Sequence, residues 1–274
     1  MTRYDLHTHS NASDGTLSPT ELVRRARDRG INVLALTDHD STDGLAEAEA
    51  EAIRLGLIFV PGVEISVTWE NHQTIHVVGL QLNPATPVLQ AGLARLREFR
   101  GWRACEMARR LAVHGIPGAF EGARALARGT IVSRTHFARF LVAGGHSRDV
   151  NDAFEHFLLP GKPGYVSGEW ANLTECVNWI QTAGGQAVLA HPLRYPLSGS
   201  RLRQLLGQFR DCGGVALELI SGRNNESQIL ANYAHEFGLM ASLGSDFHTP
   251  VNPHVDLGLL ADLPNDVPPV WANW

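Results

Sequence analysis

The sequence predicts a protein of the α/β class, in which one barrel or layered sheet is interrupted by a helical segment. Short apolar segments of the kind that form strands alternate with helical patterns in residues 4–82 and again in residues 172–248. Between these two parts, residues from about 88 to 165 show helical patterns only. With 274 residues, the chain is long enough for one large domain or two small ones.

The first strand is predicted at residues 4–9, YDLHTH, and the first helix at residues 18–30. Ser18 is expected to cap this helix, Pro19 suits its first position, and Glu21 completes a capping box. The chain then alternates until two strand patterns follow each other directly and can pair as a hairpin. These further elements are strands at residues 31–40, 57–67 and 74–82 and an alanine-rich helix at residues 44–56.

The middle of the chain contains four helical patterns, after which helices and strands alternate again. The four patterns lie at residues 93–115, 122–129, 134–145 and 151–159. The later helices are expected at residues 172–185, 200–214 and 225–238, and the later strands at residues 186–192, 215–220 and 239–248. The proline-rich tail from residue 263 onward is expected to pack as irregular chain.

Composition indicates an ordinary globular protein, with 44% apolar and 19% charged residues. No run of about 18 apolar residues is present, so no membrane span is expected. No basic, apolar and small-residue sequence precedes the first strand, which argues against a secretory signal. The three cysteines, Cys105, Cys176 and Cys212, are far apart and form no CxxC pattern, which predicts free thiols in a reducing cytoplasm.

The charge is unevenly distributed along the chain. The net charge is −5, yet residues 99–167 contain ten basic and five acidic residues, a net charge of +5. The rest of the chain therefore carries −10. A basic segment in an acidic chain indicates an anionic ligand there, although a solvated, arginine-rich helix face would give the same count.

Most of the predicted strands end in a histidine or an acidic residue. Nine residues are candidate metal ligands on this basis: His7, His9, Asp14, His39, Glu64, His76, His191, Asp246 and His248. In a parallel α/β barrel, residues at the carboxyl ends of the strands converge on one face. The i, i+2 spacing of His7 and His9, and of Asp246 and His248, directs each pair the same way. A single strand-end histidine is more often a hydrogen-bonded surface or core residue, but the whole set favours a metal site.

Imidazole and carboxylate ligands without thiolates suit zinc, manganese or iron. Nine ligands exceed the roughly four to six that one such ion takes, so two or three ions are expected, with Glu64 as a bridge. Three divalent ions with the carboxylates of Asp14, Glu64 and Asp246 would leave a net charge of +3. This charge favours an anionic substrate and a bound hydroxide, and therefore phosphoester hydrolysis.

The candidates occur in the order HTHS, Asp14, TDHD, Glu64, His76, His191 and DFH. This ordered set resembles the polymerase and histidinol phosphatase (PHP) family, and the match spans the chain apart from the helical segment. The resemblance implies a distorted (β/α)7 barrel formed by residues 1–98 and 168–274, with a helical insert at residues 99–167 that contributes to substrate binding.

The resemblance also implies three metal ions, with manganese expected first and iron or zinc as alternatives. By that resemblance the ions would be held by His7, His9, Glu64 and Asp246, by Glu64, His76 and His191, and by Asp14, His39 and His248. The residues expected to act in catalysis are Asp14, His39, Glu64 and Asp246.

The wider amidohydrolase barrels share the HxH motif, but they usually place a carbamylated lysine on a barrel strand. The only lysine here, Lys162, lies in the insert, which argues against them.

Within the PHP family, an insert that carries RTHFARFL and FLLPGKPGYV resembles the branch that acts on nucleotides. Members of that branch include a phosphatase that removes the 3′-phosphate of nucleoside 3′,5′-bisphosphates, and 5′→3′ exoribonucleases that act on short RNA. Arg134, His136 and Lys162 stand in these motifs and are expected to contact the substrate. Arg148 and Arg194 are added for their charge and position, since arginine suits bidentate contact with phosphate. A turn position for Lys162 and helix packing for His136 are the alternatives.

We therefore predict a metal-dependent phosphohydrolase that removes the 3′-phosphate from nucleoside 3′,5′-bisphosphates such as adenosine 3′,5′-bisphosphate. Its substrate would be a small nucleotide or a short oligonucleotide, with no membrane and no obligate protein partner. A 5′→3′ exoribonuclease acting on short 5′-phosphorylated RNA is an alternative that uses the same site. A non-catalytic module that holds structural metals or senses phosphate is another, and the full ligand set argues against it.

Three smaller expectations concern residues outside the candidate ligand set. Glu218 ends a strand without matching a family ligand, and it is expected to orient a ligating histidine. Trp102 and Trp179 are expected in the core. The histidines without an assigned role are His72, His114, His146, His156, His235 and His254.

Overall fold

The computed structural model describes residues 2–222, 226–251 and 255–274. Seven strands within these ranges form one sheet in chain order, from β1 to β7. Their bounds are Tyr4–Asp5 (β1), Val33–Leu36 (β2), Ile58–Trp69 (β3), Gln73–Leu80 (β4), Gln186–Leu189 (β5), Ala216–Ser221 (β6) and Met240–Gly244 (β7). The predicted hairpin is confirmed, because β3 and β4 pair antiparallel along the whole length of β4.

The sheet curls until its first and last strands meet. Leu6 N–H donates to Leu243 O over 3.1 Å, and His9 N–H donates to Phe247 O over 2.9 Å. β4 is antiparallel to both of its neighbours, whereas the other neighbouring strands are parallel. The α/β class and the distorted (β/α)7 barrel are therefore confirmed, with the fourth strand reversed.

Helices surround the barrel, and they lie near their predicted positions, although α3 begins six residues and α4 three residues before the predicted start. Their bounds are Pro19–Asp28 (α1), Leu45–Leu55 (α2), Pro87–Val113 (α3), Ala119–Leu126 (α4), Arg134–Ala143 (α5), Val150–Ala153 (α6), Leu173–Thr182 (α7), Gly199–Asp211 (α8) and Ser227–Phe237 (α9). The capping box of α1 is confirmed, because the Ser18 hydroxyl accepts from Glu21 N–H and Ser18 N–H donates to the Glu21 carboxylate. The first residue of the last predicted helix, residue 225, and His254 lie outside the described residues.

Helices α3 to α6, with a π-helical turn at Phe154–Leu158, occupy the segment where the insert was predicted. Their apolar side chains, including Met107 and Leu158, form a core distinct from that of the barrel. The first half of α3 instead packs into the barrel core through Leu89 and Leu93. One continuous helix therefore belongs to both cores, and the predicted boundary between barrel and insert falls inside it.

The two tryptophans expected in the core differ in their exposure. Trp179 is buried, and its ring lies only 2.6 Å from where a Cβ on Gly92 would be, so a glycine lets α3 approach α7. Trp102, on the outer side of α3, is 57% exposed, so the expectation for it was wrong.

The C-terminal tail packs as irregular chain against β7, as predicted. Ala241 N–H donates to Pro268 O, Val270 N–H donates to Ala241 O, and Trp271 stacks on Tyr4 with ring centroids 4.0 Å apart. All three cysteines are unpaired, in agreement with the prediction of free thiols. Across the described ranges, no helix combines the length and the apolar character that crossing a bilayer requires.

Candidate active site

The nine candidate ligands come together at one end of the barrel. His7 and His9 follow β1, His39 follows β2, and His191 follows β5. Glu64 lies within β3, where a bridge pairs it with His39. Asp14 comes from the loop after β1, and Asp246 and His248 come from the segment after β7.

His76 lies near the amino end of its strand, whereas the candidate ligands next to β1, β2, β5 and β7 come after the carboxyl ends of those strands. It lies in the first half of β4 and pairs in register with Ser66 of β3. Because β4 is reversed, residues near its amino end lie at the barrel end where the parallel strands have their carboxyl ends. The predicted hairpin, which makes β4 antiparallel to β3, therefore brings the candidate ligand of the fourth strand to the same end of the barrel.

The first group of candidate ligands contains His7, His9 and Asp246, whose donor atoms all lie within 4.8 Å of one another. The two histidine Nε2 atoms are 3.1 Å apart. Asp246 Oδ1 lies 3.2 Å from His9 Nε2 and 3.6 Å from His7 Nε2. The i, i+2 histidine pair therefore converges on one point, as its spacing predicts. Asp246 has a positive φ of 53°, and its Oδ1 also lies 3.5 Å from His248 Nδ1.

Glu64 lies at the centre of the cluster, with both carboxylate oxygens close to imidazole nitrogens. Its Oε1 is 2.9 Å from His76 Nδ1 and 3.0 Å from His191 Nε2. Its Oε2 is 2.7 Å from His39 Nδ1 and 3.3 Å from His9 Nε2. A carboxylate in this position can bridge two cations. The donor atoms group Glu64 with His7 and His191, and separately with His39 and His76, rather than with His76 and His191 together.

The remaining group contains Asp14, His39 and His248, together with His9. His248 Nε2 is 3.2 Å and His39 Nε2 is 3.9 Å from Asp14 Oδ1. His9 joins the group because its ring stacks on that of His248, with centroids 4.2 Å apart. The nine candidates thus form one continuous cluster rather than separate sites.

Several buried atoms of this cluster have no hydrogen-bond partner among the described residues. They include Asp14 Oδ1, His39 Nδ1, Glu64 Oε2 and His76 Nδ1. His39 Nδ1 and Glu64 Oε2 are only 2.7 Å apart, yet their geometry is not that of a hydrogen bond. Leaving such buried groups unpaired is costly. Nitrogen and oxygen atoms that approach closely without bonding to one another fit ligands that face a shared cation, so the residues present suit divalent metal ions.

The ionisation of the cluster leads to the same conclusion. Burial alone would raise the pKa of Glu64, but the neighbouring His76, His39 and His7 outweigh it and hold that pKa well below its usual range. Burial alone would lower the pKa of His248, but Asp14 and Asp246 raise it to about 9. The carboxylates therefore stay ionised and attract positive charge, which protons supply in the metal-free protein and divalent cations would supply instead.

The loop that carries Asp14 is held by a second buried acid, Asp38. Its Oδ1 accepts from Ser10 N–H over 2.9 Å and from the Ser13 hydroxyl over 2.5 Å. Its Oδ2 accepts from the Ser10 hydroxyl over 2.6 Å. Burial outweighs these bonds and raises the pKa of Asp38 to about 6. Asp38 adjoins His39 in the TDHD motif, yet its side chain fixes the loop rather than joining the cluster.

A cationic cleft, lined by Arg100, Arg103 and Arg134, adjoins the cluster and shares Asp14, His39, His76 and His248 with it. Arg100 Nε donates to Asp40 Oδ2 over 2.7 Å, and Arg103 Nε donates to Val166 O over 2.9 Å. Trp170 lies behind both arginines, with its ring centroid 5.0 Å and 5.5 Å from their guanidinium carbons. Arg100 and Arg103, two arginines of α3 that no sequence motif indicates, are therefore held in fixed positions in this cleft.

These arginines are held close together with little neutralising charge. Burial, followed by the neighbouring Arg134 and Arg100, lowers the pKa of Arg103 to about 9. Burial and Arg100 also lower the pKa of Arg134. One carboxylate, Asp40, pairs with Arg100, so the cleft keeps an excess of positive charge beside the candidate ligands. Such a cleft is suited to a phosphate group.

The five residues predicted to contact the substrate are found in different places. Arg134 lines the cationic cleft, and Arg194 pairs with Asp246 at the edge of the ligand cluster. His136 is buried, and its Nδ1 accepts from Ser133 N–H over 3.0 Å as part of the cap of α5. Arg148 is 83% exposed and pairs with Asp152. Lys162 lies in a surface groove beside the end of α3.

Comparisons with known proteins show clear similarity over the whole chain. The model of the PHP domain matches residues 5–156. A 3′,5′-nucleoside bisphosphate phosphatase of Chromobacterium violaceum is 47% identical, covering 100% of this chain and 96% of its own. The 5′-3′ exoribonuclease Rnm of Escherichia coli is 45% identical, covering 99% of this chain and 93% of its own.

Solved structures agree with the observed fold. An amidohydrolase from Chromobacterium violaceum, solved with bound sulfate and without metal, has a TM-score of 0.94 at 46% identity and covers 98% of this chain and 95% of its own. A protein of Bifidobacterium adolescentis assigned as a metal-dependent phosphoesterase has a TM-score of 0.83 at 27% identity, covering 98% of this chain and 93% of its own.

Proposed function

Because the chain belongs to the PHP domain family, we propose that it is a metal-dependent phosphohydrolase that removes the 3′-phosphate from nucleoside 3′,5′-bisphosphates. The observation that carries this proposal is the position of the cationic cleft directly beside the cluster of candidate ligands. A substrate with two phosphates can place one at each of these neighbouring sites. The relative from Chromobacterium violaceum, which is named for this activity, supports the choice of substrate.

In this proposal the ligand cluster holds three divalent ions, with manganese expected first. The ligands would be His7, His9, Asp14, His39, Glu64, His76, His191, Asp246 and His248. Ions held there would supply two kinds of chemistry: they would stabilise the negative charge that develops on the phosphoryl oxygens, and they would lower the pKa of a water molecule that serves as the nucleophile. Glu64 would be shared between ions, since both of its oxygens lie among imidazoles.

The second phosphate of the substrate would bind at Arg100, Arg103 and Arg134. Guanidinium groups donate paired hydrogen bonds to phosphate oxygens, and the Trp170 ring behind two of them limits their movement. Asp14 connects the two sites. Its Oδ1 faces His248, whereas its Oδ2 accepts from the hydroxyl groups of Ser133 and Thr135 at the start of the helix that carries Arg134.

Arg194 completes the proposed contacts on the other side of the cluster. It pairs with Asp246 and donates to the Ser221 hydroxyl over 3.2 Å, so it lies within reach of a group bound beside Asp246. Contact of His136, Arg148 and Lys162 with the substrate stays a prediction from the sequence motifs and the charge pattern. In this conformation they cap a helix, pair at the surface, and line a different groove.

Exoribonuclease action on short 5′-phosphorylated RNA is the second candidate. Relatives from Haemophilus influenzae, Salmonella typhimurium and Escherichia coli, 45–46% identical over 99% of this chain, carry that name. The same cleft would bind the 5′-phosphate, and the ligand cluster would act on the first phosphodiester. The two activities therefore share one site and differ in whether the scissile phosphate is terminal or is esterified to a further nucleotide.

Purified protein loaded with Mn²⁺ tests both candidates. It should release inorganic phosphate from adenosine 3′,5′-bisphosphate far faster than from adenosine 5′-monophosphate. Equal rates on the two substrates would contradict the role of the second phosphate. A trinucleotide with a 5′-phosphate, assayed in parallel, shows whether RNA is the better substrate. The absence of hydrolysis with all of these compounds would favour a non-catalytic module.

A further inference from the structure

Glu218 is a buried carboxylate that belongs to none of the groups of candidate ligands. Its Oε1 lies 3.0 Å from His7 Nδ1, and its Oε2 accepts from the backbone N–H of His191 over 2.6 Å. Because a carboxylate oxygen only accepts hydrogen bonds, His7 must carry a proton on Nδ1. The other ring nitrogen of His7, Nε2, then faces His9 and Glu64 inside the cluster.

The surrounding strands direct Glu218 to this position. The pairing of β6 with β7 shifts register between Glu218 and Ile220, a bulge of the kind that re-aims side chains next to active sites. On β7, the absence of a side chain at Gly244 leaves room for the side chains of His7 and Glu218. A Cβ there would lie 2.1 Å from His7 Cβ and 2.8 Å from Glu218 Oε1. The sequence thus provides both the direction and the room for this contact.

His191 has a backbone conformation that needs support. Its φ is 30° and its ψ is 56°, in the left-handed region that residues other than glycine seldom adopt. Strain of this kind persists when the surroundings hold the residue in place. The 2.6 Å hydrogen bond from its N–H to Glu218 is one such restraint. One carboxylate therefore restrains the ring of one candidate ligand and the backbone of another, from separate strands.

We infer that Glu218 is a positioning residue for the metal centre. It keeps the proton of His7 on Nδ1, so that Nε2 is directed into the cluster, and it holds His191 so that its Nε2 stays beside Glu64. A carboxylate that accepts from the free N–H of a ligating histidine commonly fixes the ring and strengthens the ligand. This inference rests on the proposed metal site, but its first consequence, the proton on His7 Nδ1, is measurable without metal.

Glu218→Gln tests the inference because glutamine has the same shape but offers one acceptor and one donor. The backbone N–H of His191 cannot become an acceptor, so the glutamine carbonyl should face it. The glutamine NH₂ group should then face His7 Nδ1 and displace its proton. In ¹⁵N-labelled, metal-free protein, the ring ¹⁵N–¹H correlations of His7 should show a proton on Nδ1 in the wild type and none in the variant.

The second measurement is affinity for Zn²⁺ in competition with a chelator. Glu218→Gln should weaken it by about 10- to 100-fold, the usual effect of losing such a partner. Glu218→Asp keeps two acceptor oxygens, so it should retain the Nδ1 proton and more of the affinity than the glutamine variant. It also serves as the test if Glu218→Gln does not fold. Glu236→Gln is the control, because that exposed carboxylate pairs with Arg203 on the outer surface of α9.

Two results would overturn the inference: a proton that stays on His7 Nδ1 in Glu218→Gln, or Zn²⁺ affinity equal to that of the Glu236→Gln control. The proposed function fails separately. If the expected change at His7 occurs but the wild-type protein hydrolyses no phosphoester, the positioning role stands and the catalytic proposal does not.

Discussion

The Ser133 hydroxyl donates to Asp14 Oδ2 over 2.9 Å, although the two residues are 119 positions apart in the chain. Ser133 is also the N-cap of α5, where its side chain accepts from Thr135 N–H. The start of an insert helix is therefore bonded to a candidate metal ligand of the barrel. This contact fixes where Arg134, the next residue in the chain, lies relative to the ligand cluster.

Ser133→Ala should disturb both the helix and the site. Loss of the cap costs about 1 kcal/mol, and loss of the bond to the Asp14 carboxylate adds to it, for an expected total of about 2–3 kcal/mol in the free energy of unfolding. KM for adenosine 3′,5′-bisphosphate should also rise. Ser18→Ala is the matched control, since Ser18 caps α1 in a similar capping box away from the cluster. An equal effect of both variants on KM would contradict this role.

Arg134→Met should lower kcat/KM for adenosine 3′,5′-bisphosphate by about 10- to 100-fold, because a hydrogen bond to a charged group contributes about 1.5–3 kcal/mol. Hydrolysis of adenosine 3′-monophosphate, which lacks the second phosphate, should change little. Arg109→Met controls for loss of charge, since Arg109 is 65% exposed and pairs with Glu106. If both substrates lose activity equally in Arg134→Met, the arginine acts at the scissile phosphate instead.

Metal binding should release protons, and the affinity for metal should increase as the pH rises. Asp14 and Asp246 raise the pKa of His248 to about 9 against the effect of burial, so His248 is protonated at pH 7 in the metal-free protein. A ligating imidazole must lose that proton. Calorimetric titration with Mn²⁺ in buffers of different ionisation enthalpy should therefore show proton release at pH 7 that declines as the pH passes 9. Binding without proton release at pH 7 would argue against His248 as a ligand.

The raised pKa of His248 also affects the folding stability of the metal-free protein, which should decrease as the pH rises. Because the folded-state pKa of His248 is raised, the stabilisation by its protonated form is complete below about pH 6.5, the unfolded value. It is then lost as the pH rises through about 9. Thermal melting of protein treated with a chelator should show decreasing stability over this interval. His248→Gln should reduce that pH dependence, and an unchanged profile in this variant would count against the assignment.

Gly244→Ala should destabilise the barrel at the cluster. The new Cβ would lie 2.1 Å from His7 Cβ and 2.8 Å from the backbone nitrogen of His7, just after β1, so the two segments must separate. We expect a loss of at least about 1–3 kcal/mol in the free energy of unfolding, together with weaker metal binding. Gly101→Ala, at an open position in α3, should be neutral or stabilising by up to about 1 kcal/mol. Denaturant melts of both variants provide the comparison.

Sequence periodicity was sufficient to predict that the candidate ligands converge, because most of them lie in strands or directly after them. The HxH pair and the residues after the other strands keep the same relation to the sheet in the folded protein, so their convergence could be predicted. The resemblance to the PHP family added a grouping of those ligands into three sets. The structure keeps the nine together, but their donor atoms group differently: His9 belongs to two groups, and Glu64 is grouped with His7 and His191 and, separately, with His39 and His76.

The cationic cleft could not be predicted in the same way. Arg100 and Arg103 lie on a long helix that is rich in arginine, where a solvated face is the simpler interpretation of the pattern. They are buried by contacts from distant segments, namely Asp40 after β2 and Val166 at the end of the insert. Arg109 and Arg110, on the same helix, pair with Glu106 at the surface. Nothing in the local sequence distinguishes these two pairs of arginines.

Because α3 continues through both cores, it fixes the distance between the cationic cleft and the ligand cluster. Leu89 and Leu93 anchor one part of the helix in the barrel, Met107 and Leu111 anchor another in the insert, and Arg100 lies between them. A helix of 27 residues is stiff, so the span from the arginines to Glu64 is set during folding and not by the ligand. We expect the protein to select substrates by the distance between their two phosphates and to accept different bases on the ribose that joins them.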